Sequence, residues 1–369
     1  MVYLIRMNKV YCSKLSDSEN KSGIMNQFCN LASAIVEAYK QHKKIVAIDN
    51  LTFYHSDDTV IPVSAIIDLD KLNVFLESRY GMKVYDKNIL LFQLKKVLYG
   101  VQYKEKNITE KIVEKYIDEN DVVRIGKDIN LNTEFGDPFM GVKKRVFIQY
   151  VLRYKDKEIP DSISVDEFDG ILEEEMVVDM NPKNGDYIAH ETNLKELPDK
   201  QMFSNILQRI SLTEQYEMAA EHFIDEIGLK DKKASKTNIL HLRLEDDVVT
   251  KWAKQDDKDY LQRLENKYIE LIKDNIEKTD DTIILSYSSN NSVLAFLKEN
   301  GYNYHFNQKV LESGRELNAC VDVLTGKYCN NVFIGNFDES TMKGSWFSYF
   351  IMNNLPKTVK TRLVSLDSP

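Results

Sequence analysis

The C-terminal half of the chain repeats one pattern, in which a short apolar run is followed by an amphipathic stretch. Three apolar runs have the length of buried strands, namely 238–242, 282–287 and 332–334. Four stretches carry apolar residues at helical spacing, namely 259–277, 292–300, 316–324 and 347–354. Strands that alternate with helices in this way predict a parallel sheet covered by helices.

A shorter series of the same kind opens the chain. The predicted elements are, in order, a strand over 2–10, a helix over 28–40, a strand over 45–48 that ends at Asp49, and a helix and strand within 63–85. This strand–loop–helix–strand unit is the building block of a parallel sheet. The N-terminal part therefore predicts a second sheet of the same class.

The length of 369 residues favours two domains. We expect an N-terminal Rossmann-like domain over 1–200, with an elaborated middle, and a C-terminal Rossmann-like domain over 201–369. A long amphipathic helix over 203–227, stopped by Gly228, is predicted to open the second domain. Ligands bind at the carboxyl ends of the strands in open α/β sheets. The polar residues after 242, 287 and 334 are therefore predicted to cluster.

Charge and composition exclude several classes of function. The net charge of −9 disfavours a nucleic-acid partner, because an acidic chain repels phosphate backbones. The four cysteines have no metal-ligand spacing and predict buried, reduced thiols. No apolar run approaches the ~20 residues of a membrane span, and Arg6 and Lys9 interrupt the N-terminal apolar stretch. We expect a cytoplasmic protein without membrane insertion.

The most informative constellation follows the first C-terminal strand. That strand delivers His241 and Arg243, and the acidic residues Glu245, Asp246 and Asp247 follow. His241 and Arg243 are two residues apart, so an extended strand points both to one face. The guanidinium of Arg243 has the fork geometry that suits a diphosphate. The alternative is a solvated acidic turn in which Arg243 pairs with Glu245 or Asp247.

The segment from His241 to Val248 resembles the His-Leu-Arg-Phe-Glu-x-Asp-Met motif of the plant-type protein O-fucosyltransferase family. It also resembles the shorter His-x-Arg pattern of the wider fucosyltransferase superfamily. Leu244 stands in the place of Phe and Val248 in the place of Met. Both departures keep an apolar side chain.

Residues 22–27 resemble the Gly-Gly-Leu-Asn-Asn-Gln turn of the same family. Gly23, Asn26 and Gln27 match that turn, whereas Ser22 and Met25 depart from it. Taken alone, a glycine turn that opens a helix is common structural chemistry. The order of the motifs along the chain gives it weight, since a segment Ile-Ile-Asp-Leu-Asp of the family also follows, at 66–70.

The C-terminal part resembles the donor site of the superfamily. The resemblance consists of a helix carrying an Asp, an apolar strand ending in Gly-Asn, and a helix start similar to Ser-Ser-Phe-Ser. The matching positions are Asp322, Asn336, Ser345, Trp346, Phe347 and Ser348, with Trp346 in the place of the second Ser. Ser286, at the end of the strand over 282–287, fits a nucleotide-facing loop or an ordinary polar turn. The alternative for Ser345 is a serine that only caps its helix.

The resemblance implies a GT-B-like α/β fold, with two Rossmann-type parallel-sheet domains facing across a cleft. It implies a metal-independent, inverting glycosyltransferase that moves a 6-deoxyhexose to a hydroxyl of a glycan or protein acceptor. Arg243 would hold the β-phosphate together with the start of the last helix. His241 would bind the nucleotide or order Arg243. The general base stays open between Glu245, Asp247, Asp49 and His55.

Several alternatives stay open. GDP-fucose is the first donor that the resemblance implies, and some plant-type relatives use UDP-rhamnose. A non-catalytic nucleotide-sugar- or carbohydrate-binding protein of the same fold would suit the departures at Ser22, Met25 and Trp346. Asp68 and Asp70 could form an Asp-x-Asp metal motif. We expect instead that these two acids begin a helix, where carboxylates favour the positive end of the dipole.

Overall fold

The structure is a computed structural model. It describes residues 2–6, 10–15, 23–54, 59–88, 90–119, 122–154, 157–167, 169–172, 175–179, 188–189, 192–230, 235–245, 248, 253, 257, 259–287, 290–306, 314–338 and 343–365. Within these ranges, each helix is either too short or too polar to cross a lipid bilayer.

Helices and strands alternate strictly from residue 237 to residue 335, whereas runs of consecutive strands are frequent before residue 200. The helices are α1 (Ile24–Lys40), α2 (Leu69–Tyr80), α3 (Thr109–Lys115), α4 (Leu131–Phe135), α5 (Lys200–Leu207), α6 (Glu214–Glu226), α7 (Tyr260–Asn275), α8 (Ser292–Glu299), α9 (Arg315–Thr325) and α10 (Trp346–Asn354). The strands are β1 (Val2–Arg6), β2 (Val10–Lys14), β3 (Ile45–Ile48), β4 (Leu51–Phe53), β5 (Thr59–Ile61), β6 (Lys83–Asp86), β7 (Leu90–Val101), β8 (Lys104–Asn107), β9 (Val122–Ile125), β10 (Arg145–Tyr154), β11 (Lys157–Asp166), β12 (Glu175–Asp179), β13 (Ile188–Ala189), β14 (Thr237–His241), β15 (Asp281–Leu285), β16 (Tyr304–Phe306), β17 (Val332–Gly335), β18 (Phe337–Asp338), β19 (Lys343–Gly344) and β20 (Lys360–Leu363).

The C-terminal strands form one parallel sheet of five strands in the order β16-β15-β14-β17-β20. Strands β14 and β15 are buried along their whole length, as expected for a parallel sheet covered on both faces. The predicted parallel sheet is confirmed, with β16 and β20 as additional edge strands. Because β14 lies between β15 and β17, the three strand ends that carry the predicted polar residues lie side by side.

The N-terminal part contains a second parallel sheet, of four strands in the order β13-β2-β3-β6. The α/β class with two parallel sheets is therefore confirmed. The prediction of a single strand over 2–10 is wrong, because β1 and β2 belong to different sheets. Strand β1 pairs with β12 in a three-stranded sheet, whereas β2 pairs with β3.

The elaborated middle is mostly antiparallel. Strands β7, β8, β10 and β11 form a four-stranded sheet in the order β11-β10-β7-β8. One face of this sheet packs on the outer face of the N-terminal parallel sheet in a shared apolar core, as in the contact between Tyr85 and Tyr154. The strand predicted at 145–152 is confirmed as β10.

A larger apolar core joins the two parallel-sheet units. Helices α1, α5, α6, α9 and α10 all contribute to it. Phe28 of α1 and Phe350 of α10 lie 5.8 Å apart between ring centroids. Helices α1 and α10, one from each unit, therefore pack against each other within this core.

The helix predicted over 203–227 is two helices, α5 and α6, so the prediction of one continuous helix is wrong. Backbone hydrogen bonds explain the break. The N–H of Thr213 donates to the carbonyl of Ile66, and the N–H of Asp68 donates to the carbonyl of Ser211. The segment between the helices is therefore extended and pairs with the segment before α2. Gly228 follows α6 with φ of +69°, which is the helix stop that the sequence predicts.

Candidate active site

His241 is the last residue of β14 and lies at the carboxyl edge of the C-terminal sheet. Its side chain is buried and its ring lies 4.5 Å from the ring of Phe347. The hydroxyl of Tyr268, in α7, donates to the carbonyl of His241 at 2.9 Å. The imidazole is therefore fixed between the sheet and the first turn of α10.

A hydrogen bond ties His241 to that helix. The Nδ1 atom of His241 lies 2.6 Å from the hydroxyl of Ser348, 107 residues away in sequence. The same hydroxyl accepts from the backbone N–H of Asn336 at 2.8 Å. A single serine thus joins the ends of β14 and β17 to the start of α10.

The close approach of α10 to β17 requires a glycine. A Cβ atom on Gly335 would stand 2.7 Å from the hydroxyl oxygen of Ser348 and 2.7 Å from the ring of Phe333. Any larger residue at position 335 would force the Ser348 side chain or the Phe333 ring to move. The Gly-Asn pair of the predicted donor site therefore has a packing reason.

The environment keeps His241 neutral. Burial lowers the pKa of the imidazole to about 3, and the positive charges of Arg243 and Arg315 act in the same direction. A neutral imidazole with such a pKa is a weak proton acceptor near neutral pH. Its hydrogen bond to Ser348 and its contact with Phe347 suit it to hold the start of α10 in position.

Arg243 and Glu245 form an ion pair beside His241. The Nη1 atom of Arg243 contacts Oε2 of Glu245, and the two side chains are 13% and 16% exposed. The other oxygen, Oε1, accepts from Nη2 of Arg315 at 3.3 Å. This pairing is the one that the alternative interpretation of the motif predicted, but the cluster lies in a mostly buried position rather than in a solvated turn.

The three residues Arg243, Glu245 and Arg315 form what we call the arginine cluster. Two guanidinium groups and one carboxylate leave it one net positive charge. Arg315 is the most accessible member, at 26% exposed, and its guanidinium carbon lies 4.6 Å from the centre of the Tyr287 ring. Tyr287 itself is exposed and follows β15 by two residues. The cluster therefore opens to solvent beside Arg315 and Tyr287.

Arg315 was not predicted from the sequence. It is the first residue of α9, next to Gly314, whose φ of +104° turns the chain into the helix. The apolar pattern that predicts this helix begins only at Leu317, so Arg315 resembled one more charge in a polar loop. No local signal marked Arg315, because its significance lies in its contact with Glu245, 70 positions away.

The start of α10 carries the other predicted donor residues. Ser345 occupies the N-cap position, but within the described chain its hydroxyl accepts no capping hydrogen bond. Its backbone N–H donates to the carbonyl of Asn336 at 2.7 Å. Trp346 packs against Phe337, with 5.2 Å between ring centroids. Trp346 thus contributes to the packing of this corner, and its contact with a donor stays a prediction.

The start of α1 carries the residues of the predicted glycine turn. Gly23 is the N-cap, and the backbone N–H groups of Asn26 and Gln27 donate to its carbonyl. The buried amide of Gln27 clamps the backbone of Thr52, donating to its carbonyl at 2.7 Å and accepting from its N–H at 3.1 Å. This clamp fixes β4 against α1. Direct contact of Gly23, Asn26 or Gln27 with a donor stays a prediction.

The remaining predicted residues are Ser286, Asp322 and the candidate bases other than Glu245. Ser286 follows β15 at the ligand edge, next to Tyr287. Asp322 lies seven residues after Arg315 in α9, which places it about 10 Å further along the helix. Asp247 and His55 lie outside the described residues. Of the candidate bases, Asp49 forms an ion pair with Lys87 at 2.6 Å.

The acids of the possible metal motif begin a helix, as the sequence predicts. Asp68 is the N-cap of α2, and its Oδ1 accepts from the N–H of Lys71 at 3.0 Å. Asp70 lies in the first turn of the same helix. Both acids are therefore accounted for by helix capping and by the helix dipole.

The fold and this site together define an α/β protein whose two parallel-sheet units share a core and whose C-terminal sheet presents an arginine cluster. No protein-family model matches the chain, and no curated protein matches it.

Three solved structures illustrate what the chain is similar to. The first is POFUT1 in complex with GDP, at 11% identity and a TM-score of 0.47, with 96% of this chain and 98% of that chain covered. The second is the selenomethionine form of fucosyltransferase NodZ from Bradyrhizobium, at 13% identity and a TM-score of 0.49, with 98% and 96% covered. The third is NodZ alpha-1,6-fucosyltransferase soaked with GDP-fucose, at 12% identity and a TM-score of 0.47, with 94% and 93% covered.

Proposed function

We propose that this chain is a glycosyltransferase that takes a 6-deoxyhexose, fucose from GDP-fucose, and transfers it with inversion and without a metal to a hydroxyl acceptor. The donor would lie on the C-terminal unit, 201–369, and a glycan or protein acceptor mainly on the N-terminal unit, 1–200. The resemblance of the segment 241–248 to the fucosyltransferase motif is the starting point of this proposal.

The observation that carries the proposal is the bond between His241 and Ser348. It joins two segments, 107 residues apart, that the resemblance assigns to one donor site. Arg243 follows His241 by two residues, at the carboxyl edge of the sheet where ligands of this fold class bind. The N–H groups in the first turn of α10 add the positive end of a helix dipole.

The chemistry follows from these charges. Departure of the nucleoside diphosphate leaves negative charge on the β-phosphate, which Arg243 and the start of α10 would stabilise. His241, being neutral, would order Arg243 and the α10 start instead of taking a proton. Glu245 is engaged with two guanidinium groups, and we assign it the role of positioning them. The acceptor's proton would then pass to Asp247, Asp49, His55 or water.

The test uses nucleotide binding and turnover on the same preparations. Thermal-shift measurements with GDP, UDP, GDP-fucose and UDP-rhamnose identify the nucleotide, because a bound donor raises the melting temperature. Release of GDP from GDP-fucose is then followed for the wild type, Arg243→Ala and the control Arg362→Ala. Arg362, on β20, donates from Nε to Asn275 at 3.1 Å and lies outside the proposed site.

We expect the wild type and Arg362→Ala to turn over the donor alike, and Arg243→Ala to lose about 10²- to 10³-fold in rate. Turnover of UDP-rhamnose alone would establish the rhamnosyl alternative. Stabilisation by a sugar nucleotide with no turnover under any acceptor would favour the non-catalytic alternative. A wild type that no nucleotide stabilises would refute the proposed function.

A further inference from the structure

We infer that Arg315 is a second diphosphate-binding residue of the donor site, held ready by Glu245. This inference rests on the proposed function and extends it to a residue that lies outside the segments resembling the fucosyltransferase motifs. The observation that carries it is the shared carboxylate, since Glu245 contacts Arg243 with one oxygen and Arg315 with the other.

The shared carboxylate fixes the relative position of the two guanidinium groups. The two arginines contact the carboxylate of Glu245 from different elements. Arg243 follows the end of β14, and Arg315 is the first residue of α9. Their side chains are 13% and 26% exposed, so neither is a solvated surface charge. A guanidinium recognises phosphate oxygens with the same forked geometry that it uses for a carboxylate. The arrangement that holds Glu245 is therefore also suited to adjacent phosphates.

The charge balance of the cluster favours an incoming anion. Two positive groups share one negative group, and the neighbouring imidazole of His241 is held neutral. These four side chains together carry one formal positive charge in a mostly buried position. A diphosphate is negatively charged and is therefore attracted to a cluster of this sign.

The position of Arg315 in α9 is electrostatically unfavourable for a merely structural residue. Positive side chains stabilise the C-terminal end of a helix and are disfavoured at the N-terminal end. Arg315 is the first helical residue, and the acid usual at a helix start, Glu316, follows it. Departures from local preference are expected where a residue serves a site.

Arg315 is also the member of the cluster that a ligand reaches first. Its guanidinium lies over the exposed ring of Tyr287 at 4.6 Å, at the solvent side of the cluster. A planar guanidinium slides over an aromatic face while keeping its cation–π contact. Arg315 can therefore turn from Glu245 toward a phosphate without leaving Tyr287.

Calorimetric titration with guanosine, GMP and GDP tests the inference, because these ligands differ only in the number of phosphates. The proteins are the full chain, Arg315→Ala, Arg315→Lys, Arg243→Ala and the control Arg362→Ala. Circular dichroism and thermal unfolding show whether each variant is folded. Arg315→Lys keeps the charge but loses the fork, so it serves if the alanine variant does not fold.

We expect Arg315→Ala to weaken GDP binding roughly 10- to 100-fold and to leave guanosine binding unchanged. Arg315→Lys should lose part of this affinity, and Arg362→Ala none. Equal weakening of GDP and guanosine would show that Arg315 acts only through the structure, and would overturn the inference.

An Arg315→Ala variant that binds GDP like the wild type, while Arg243→Ala does not, would also overturn the inference and leave the proposed function intact. If the wild type binds none of the three ligands, the proposed function itself fails.

Discussion

Replacing Glu245 with Gln removes the carboxylate that Arg243 and Arg315 share, and keeps its size. The side chains of Arg243, Glu245 and Arg315 are 13%, 16% and 26% exposed. Breaking a fully buried ion pair costs roughly 3–5 kcal/mol, whereas an exposed pair contributes about 0–1 kcal/mol. A cluster that is mostly buried lies between these limits. We therefore expect Glu245→Gln to lower the free energy of unfolding by about 2–3 kcal/mol.

For a folding unit of about 150–250 residues, this loss of free energy would lower the melting temperature by about 4–12 °C. Urea unfolding, followed by circular dichroism, measures the free energy directly. The matched control is Glu277→Gln, because Glu277 also pairs with a cation, Lys236, but the two side chains are 70% and 53% exposed. That control should change little. Equal stability of the two variants would refute the view that the arginine cluster is a buried, mutually dependent unit.

Three further predictions concern the frame of the site. Between pH 6.5 and about 3, unfolded His241 binds a proton that folded His241 does not. The free energy of unfolding should therefore fall as pH drops, by up to about 1.4 kcal/mol per pH unit. Urea unfolding at several pH values measures this slope, which should be smaller for His241→Asn. Gly335→Ala puts a Cβ atom 2.7 Å from the hydroxyl oxygen of Ser348. We expect the free energy of unfolding to fall by about 1–3 kcal/mol and the rise in melting temperature caused by GDP to be smaller. Unchanged values of both would contradict the packing argument. Gln27→Ala removes both hydrogen bonds to Thr52 and should cost about 1–3 kcal/mol in urea unfolding, whereas wild-type stability would contradict the clamp.

The C-terminal sheet was predictable because burial on both faces turns each parallel strand into an apolar run. Strands β14, β15 and β17 are such runs, and amphipathic helices follow β14 and β15. The helices were found with errors of one or two residues at their ends. The local pattern of apolar residues sufficed here, because the burial of each strand or helix is visible in the residues of that element itself.

The N-terminal errors have a different cause. Whether residues 2–10 form one strand or two depends on partners at 175–179 and 45–48, which are distant in sequence. The break between α5 and α6 depends in the same way on backbone pairing with 66–68. Such pairings leave no periodic signal in the segment that they interrupt.

The site was partly accessible from the sequence. The resemblance grouped His241 with Ser348, and the structure brings them to hydrogen-bonding distance. The pairing of Arg243 with Glu245 was an open alternative. Arg315 could not be found, because its significance arises from a contact with a residue 70 positions away. No local pattern distinguishes it from an ordinary surface arginine.

The central claim is that two segments distant in sequence, one after β14 and one at the start of α10, form a single phosphate-binding site. Hydrogen exchange with and without GDP tests this claim most directly. The N–H groups in the first turn of α10 have no partner within their own helix, and bound phosphate would protect them. We expect GDP to slow exchange at 346–348 and at 241–245 together, at the same GDP concentrations. Protection of only one segment, or of neither while GDP is bound, would contradict the account.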